Sequence, residues 1–188
     1  TFWANALLTT TAYGVLFTFL ASSPFVFIKV LGLSNAQYGL VMASMSAVYI
    51  AGTFMCRRLL QSYSVQRTVR FGGWLTLTGA VVLAGLAAGG VQAVWAVLLP
   101  LCLCMLGHGV HQSCGQSGAI GPFPLAAGAA SAWSGFLTMM CAFATGGWLG
   151  SHLDGTTRPL AYGVAFWAVL LALVAWILVQ RYGEPTAL

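Results

Sequence analysis

Imidazole, amide, hydroxyl and thiol groups crowd into one otherwise apolar run, His108-Gly109-Val110-His111-Gln112-Ser113-Cys114-Gly115-Gln116-Ser117-Gly118. On a helix, Met105, His108, Gln112 and Gln116 share one stripe, and His111 lies about 60° round from His108. A stripe of this kind can hydrogen-bond a small molecule or line a water path. His108 and His111 could also relay protons. The same groups could instead bond neighbouring helices and simply hold a bundle together. A second stripe, Asn5, Thr9, Tyr13 and Phe17, repeats every four residues near the start of the chain. Its aromatic members, Tyr13 and Phe17, would grip an apolar or aromatic ligand. Tyr49, Trp133 and Met139 are further candidates.

Other chemistries fit less well. His108, His111 and Cys114 read as His-x-x-His-x-x-Cys, so a membrane haem or metal protein built on the two histidines is one alternative. Yet two three-residue steps turn the cysteine about 120° from His108, and a single helix cannot converge the trio on one tetrahedral ion. Cys102-x-Cys104 is shorter than zinc-site spacing, and His152 lies in a distant connector. No metal or cofactor is expected. Ser113 is near His111, but no acid is at hand to orient an imidazole. No glycine-rich phosphate loop carries a lysine. The chain does not read as an enzyme.

The elements that position these stripes follow from charge. The 188 residues contain seven basic and two acidic side chains, and every one lies outside the long apolar runs. Lys29 follows the first run, and Arg57, Arg58, Arg67 and Arg70 crowd one connector. Asp154 and Arg158 flank a turn, and Arg181 and Glu184 sit in the tail. Soluble domains carry about a quarter charged residues, against 5% here. A charge at the bilayer centre costs about 2.5–3.5 kcal/mol on insertion scales, so lipid imposes this kind of exclusion. The chain is expected to be an all-α polytopic membrane protein. About 20 apolar residues span the hydrocarbon, and six such runs fit: Ala4–Ile28, Tyr38–Cys56, Phe71–Gly89, Ala93–Gly118, Gly128–Gly150 and Leu160–Gln180. A transmembrane barrel would alternate over about ten residues, and these runs are continuous.

With six spans, both termini and the second and fourth connectors share a side. That side holds Arg57, Arg58, Arg67, Arg70 and Arg181, while the other holds Lys29 and Arg158. Basic residues gather on the cytoplasmic side, so both termini are expected there. The arginine cluster is read as a topogenic signal. The net charge of +5 is too small and too localised for nucleic-acid binding. The five cysteines lie in or beside spans, as small apolar residues rather than a disulfide framework.

Two segments look alike. Ala21-Ser22-Ser23-Pro24-Phe25 closes the first span and Ile120-Gly121-Pro122-Phe123 follows the fourth, 98 residues further on. Each would end the first helix of a three-helix unit. A three-span repeat must enter the membrane from the opposite side the second time, giving the inverted 3+3 arrangement of transporter halves. Small residues four apart at Gly85/Gly89, Gly128/Ala132 and Gly146/Gly150 are expected to let helices of one bundle approach closely. The chain opens at Thr1 with no basic stretch before its first run, which suggests a start inside a longer polypeptide.

The segment Gly107 to Ala119, leading through Gly121-Pro122-Phe123-Pro124 into Ala127-Gly128-Ala129-Ala130-Ser131-Ala132-Trp133-Ser134-Gly135-Phe136, resembles the tenth and eleventh helices of the Bcr/CflA family of drug:proton antiporters. Ser22-Ser23-Pro24-Phe25-Val26, with Gly32-Leu33-Ser34 and Tyr38-Gly39, is similar to that family's seventh-to-eighth helix region. Gly52-Thr53-Phe54-Met55-Cys56-Arg57-Arg58 occupies the place of the superfamily's Gly-x-x-x-Asp-Arg loop motif, with Cys56 where the acid would stand. The resemblance implies one half, the C-terminal six helices, of a major facilitator fold in a bacterial inner (plasma) membrane. It implies proton-coupled efflux of small amphipathic drug-like substrates by alternating access against an N-terminal six-helix half. The coupling carboxylate would belong to that other half, and no carboxylate lies within a span here. Helices seven and ten line the cavity in that superfamily, in agreement with the Tyr13 and His108 stripes. A stand-alone six-helix channel or facilitator, dimerising through its glycine faces, is a further alternative.

Overall fold

Lys29 and the arginines lie within helices, toward their ends, because the helices run well past their apolar cores. The computed structural model describes residues 1–183, so Glu184 lies outside the described residues. Helix α1 (Phe2–Pro24) continues through a π-helical turn, Phe25–Val30. Then come α2 (Asn35–Ser62), α3 (Val65–Ala88) and α4 (Val94–Ile120). A short 3₁₀ turn, Pro124–Ala126, leads into α5 (Ala127–His152). Helix α6 (Arg158–Leu173) extends through a π turn, Val174–Leu178, and a last α turn, Val179–Tyr182. All six helical rods are long and apolar enough to cross a membrane.

Three expectations change. The arginine-rich connector shrinks to Tyr63-Ser64, because Arg57 and Arg58 belong to the end of α2 and Arg67 and Arg70 to the start of α3. Ser64 caps α3 by accepting a hydrogen bond from the Arg67 backbone N–H at 3.4 Å, so the polar first turn helicates. Long basic side chains at such ends reach back to water. Pro24 does not end its helix either. Proline lacks an N–H and crowds the preceding turn, and the wide π turn after it absorbs the mismatch. Pro122, by contrast, falls in a true break beyond α4.

The third change concerns glycine. A Cβ added at Gly85, Gly128, Gly146 or Gly150 would meet nothing within 4 Å, and at Gly89 only carbonyls of its own helix. These small residues face away from the bundle because four-residue spacing defines a stripe but not its direction. Close approach relies on other glycines. A Cβ on Gly52 would lie 2.5 Å from the Leu106 carbonyl oxygen, and one on Gly109 2.7 Å from the Gly52 carbonyl carbon. Gly107 meets Thr76 of α3 in the same way, and Gly14 receives the indole of Trp167.

Packing follows the expected repeat. Helix α1 lies against α4, α5 and α6; α4 lies against α1, α2 and α3; and α3 lies against α6. Helices α2 and α3 barely touch, and neither do α5 and α6. Exchanging α1-α2-α3 for α4-α5-α6 maps this pattern onto itself. Short connectors make successive helices antiparallel, so the second unit runs inverted, consistent with half of a major facilitator fold. The centre belongs to α1 and α4, whose apolar windows are 56% and 61% buried. For α2 and α5 the figure is 22% each. Val15, Phe19, Leu101, Met105, Leu160 and Val164 fill the core between α1, α4 and α6. Away from it, Cys56 Sγ of α2 lies 3.5 Å from Cys114 Sγ of α4, so two of the five cysteines meet.

The α5–α6 connector carries Asp154. Its Oδ1 accepts hydrogen bonds from Thr156 N–H at 3.0 Å and Thr156 O–H at 2.7 Å. Thr156 Oγ1 in turn accepts from Arg158 N–H at 3.1 Å. The Thr156 hydroxyl bond, foremost among several effects, lowers the Asp154 pKa below the usual carboxylate range. A depressed folded pKa stabilises above the unfolded value and loses that benefit as pH falls through the folded one. We therefore expect Asp154→Asn to speed amide exchange at Thr156 at neutral pH. The difference from wild type should persist down to about pH 4 and fade only in stronger acid, as pH falls through the depressed Asp154 value. A pH-independent difference would contradict this assignment.

Candidate functional site

Helices α1 and α4 are central, so their polar stripes meet inside the bundle. Tyr13 and His108 pack edge to face, with ring centroids 5.4 Å apart and planes at 88°. Gln112 donates from Nε2 to the Tyr13 hydroxyl at 2.9 Å and to Gln116 Oε1 at 3.0 Å. On its other side His108 meets Tyr49 of α2, at 5.6 Å between centroids. The imidazole is thus held between two phenol rings.

Tyr13, His108 and Tyr49 border a cavity of about 250 Å³, which Gln112 and Gln116 do not line. Tyr13 and Leu16 come from α1, Met105 and His108 from α4, and Met42, Met45, Ser46 and Tyr49 from α2. Its walls are aromatic, thioether and aliphatic, with phenol, imidazole and hydroxyl groups as the polar points. None of the lining residues carries a carboxylate, guanidinium or ammonium. His108 is only 4% exposed, and neither its Nδ1 nor Gln112 Oε1 has a hydrogen-bond partner. Both are exceptions to the usual pairing of buried polar atoms, as are His111 Nδ1 and the Thr68 and Thr76 hydroxyls.

The remaining stripe residues separate by role. Phe17 leans on Tyr13 at 5.5 Å and supports that ring from outside the cavity lining. Asn5 donates to the carbonyls of Thr1 and Gly183, at 3.1 and 3.0 Å, and so ties the two ends of the described chain together. Thr9 Oγ1 bonds back to the Asn5 carbonyl at 3.1 Å and faces Gly115. His111 is fully buried against α3, with Nε2 3.4 Å from the Val69 carbonyl oxygen and its ring over Gly72. It does not line the cavity that His108 lines. Ser113 bonds the Gly109 carbonyl at 2.8 Å. Trp133 and Met139 are 56% and 58% exposed on α5, away from this cavity.

The α2 wall is the part that sequence reasoning misses, Tyr49 apart. Met42, Met45, Ser46 and Tyr49 form an i, i+3, i+4, i+7 face, and that spacing is the signal that could find them. Nothing in it marks an apolar face as cavity rather than core.

No family model matches the chain. It is similar to Multidrug resistance protein MdtL of Klebsiella pneumoniae subsp. pneumoniae, with 26% identity over 191 residues, covering 99% of this chain and 47% of that protein. It is also similar to proteins of the same name from Salmonella paratyphi A and Salmonella newport. Each of those is 27% identical over 163 residues, covering 87% of this chain and 40% of the relative. The chain spans about half the length, or less, of the curated relatives it matches.

Proposed function

We propose that the chain is the C-terminal six-helix half of a Bcr/CflA-type antiporter that exports small amphipathic drugs in exchange for protons by alternating access. The observation that carries this reading is the α1–α2–α4 cavity, where His108 sits between Tyr13 and Tyr49 on the two central helices and α2. Similarity to proteins named for multidrug resistance, along nearly the whole chain but half of theirs, supports it. The inverted repeat gives a wall that can tilt as one body against an opposing half.

Apolar walls with a few polar points suit amphipathic molecules that differ in shape. Met42, Met45 and Met105 can repack around such ligands. Tyr13 and Tyr49 offer ring faces to aromatic ligands. In this reading His108, with Gln112 positioning Tyr13, contacts the drug. His108 and His111 are the buried histidines of these spans, His152 being exposed at the end of α5, and any contribution to proton movement from this half falls to them. The coupling carboxylate and the facing wall come from an N-terminal half. The arginine-bearing end and both termini lie in the cytoplasm of a bacterial cell.

Everted membrane vesicles containing the intact protein should accumulate a fluorescent amphipathic drug when their interior is made acid. Accumulation should collapse with a protonophore. The 188-residue chain alone, supplying one wall, should transport nothing. Drug entry by that chain alone, down the drug's own gradient, would favour the stand-alone facilitator, with a second copy against its exposed α5 glycines. Accumulation indifferent to the protonophore would remove the antiport mechanism.

A further inference from the structure

Helix α2 has two working flanks. One faces the cavity through Met42, Met45, Ser46 and Tyr49. The opposite flank, toward the arginine-bearing end, borders a separate groove of about 660 Å³ lined by Phe54, Met55, Arg58, Leu59 and Tyr63. Tyr49 and Phe54, five residues apart, point about 140° away from one another around the helix. An adjoining hollow of about 280 Å³ shares Leu59 and Tyr63 with it and reaches Arg67 and Phe71 of α3. Helix α2 alone lines the first hollow, whose volume lies within the range of about 300–1,000 Å³ typical of ligand sites, and α3 joins only at the second, where the two helices barely touch.

Its chemistry is divided along its length. Phe54, Met55, Leu59 and Phe71 form an apolar track in the spanning part. Arg58 and Arg67 stand at the helix ends beside Tyr63, where aromatic residues mark the membrane–water border. The four arginines of the α2–α3 hairpin are not equivalent. Arg70 donates to Gln180 Oε1 at 3.0 Å, and Arg57 does not line the groove. Arg58 and Arg67 line it, and among the described residues neither guanidinium has a side-chain partner. No described residue at this end of the bundle is acidic. Two free guanidiniums over an apolar track match a phosphate attached to a hydrocarbon chain.

We propose that this α2–α3 groove binds an anionic phospholipid, with Arg58 and Arg67 holding the headgroup phosphate and one acyl chain lying along Phe54, Met55, Leu59 and Phe71. The site is independent of the drug cavity and of the transport reading. A topogenic role for the cluster requires only positive charge near the span. The groove requires these two guanidiniums in particular.

The test is photolabelling of the intact protein in membranes containing phosphatidylglycerol with a diazirine on one acyl chain. Phosphatidylcholine carrying the same chain serves in parallel, and adducts are mapped by peptide mass spectrometry. Labelling of residues 54–71 should exceed that from phosphatidylcholine by about thirtyfold, as two phosphate-pairing arginines imply. Arg58→Gln with Arg67→Gln should reduce it to the phosphatidylcholine level. Arg57→Gln with Arg181→Gln, an equal change in charge, should leave it intact. Equal labelling by both lipids, or equal loss in both double variants, would overturn the proposal. If the first double variant fails to fold, the wild-type protein decides alone. Unlabelled phosphatidylglycerol, and not phosphatidylcholine, must then compete the adducts away; failure to compete would overturn it equally.

Discussion

Gly109→Ala should lower the thermal unfolding midpoint of the intact protein sharply, while Gly85→Ala leaves it unchanged or slightly raised. A methyl at Gly109 would sit 2.7 Å from the Gly52 carbonyl carbon, and 2.8 Å from both Thr53 N and Tyr49 O. All three are backbone atoms of α2 and cannot rotate aside. The helices must therefore separate, and overpacking of this kind costs about 1–3 kcal/mol, occasionally more. Gly52→Ala should act alike, because its methyl would meet the Leu106 carbonyl at 2.5 Å. At Gly85 nothing lies within 4 Å, and alanine exceeds glycine in helix propensity by up to about 1 kcal/mol. Fluorescence-detected size exclusion after heating in detergent reads all three. Matching midpoints for Gly85→Ala and Gly109→Ala would mean that α2 and α4 do not meet as described.

In the export reading proposed above, His108→Ala should cut drug efflux by about tenfold, the effect of removing one polar interaction from a buried site. Trp74→Ala, a larger change in volume, should stay within about twofold, as a surface substitution does. Trp74 is 57% exposed on α3 and packs against Trp176, with ring centroids 4.6 Å apart and planes tilted by 41°. His108 is buried, and its loss opens a gap between Tyr13 and Tyr49 in the cavity wall. His108→Gln restores a polar group at that depth and should recover part of the transport at an unchanged unfolding midpoint. A purely structural His108 would instead show efflux and midpoint falling together. Equal efflux by the His108 and Trp74 variants would remove the cavity role altogether.

Much of this architecture is legible in the chain because lipid is a strict solvent. Charge exclusion marks six apolar runs, and the Pro-Phe pairs at 24–25 and 122–123 point to the repeat. An apolar window stops at the first arginine, so it places helix ends too early. Backbone hydrogen bonding continues as long as a cap such as Ser64 lets it. Direction is the other blind spot. A stripe containing Tyr13 and His108 signals that something polar is gathered there, and the two do meet. The three-residue step from His108 to His111 gives their angle but not which neighbour each faces, and His111 turns to α3. Gly52 and Gly109 belong to different helices, so no single-helix spacing rule could pair them.

The two three-helix units follow the same path with different packing. At the α3–α4 interface, Gly107 and Gly72 bring backbone close to backbone, whereas the matching α1–α6 interface lodges the Trp167 indole against Gly14. The units are therefore not interchangeable parts. A chain built from two copies of α4–α6 would keep the trace but provide no Gly14 for Trp167. Comparing one half of the sequence with the other finds little beyond the shared Pro-Phe, because the symmetry survives in how helices are arranged and has been lost in how they fit.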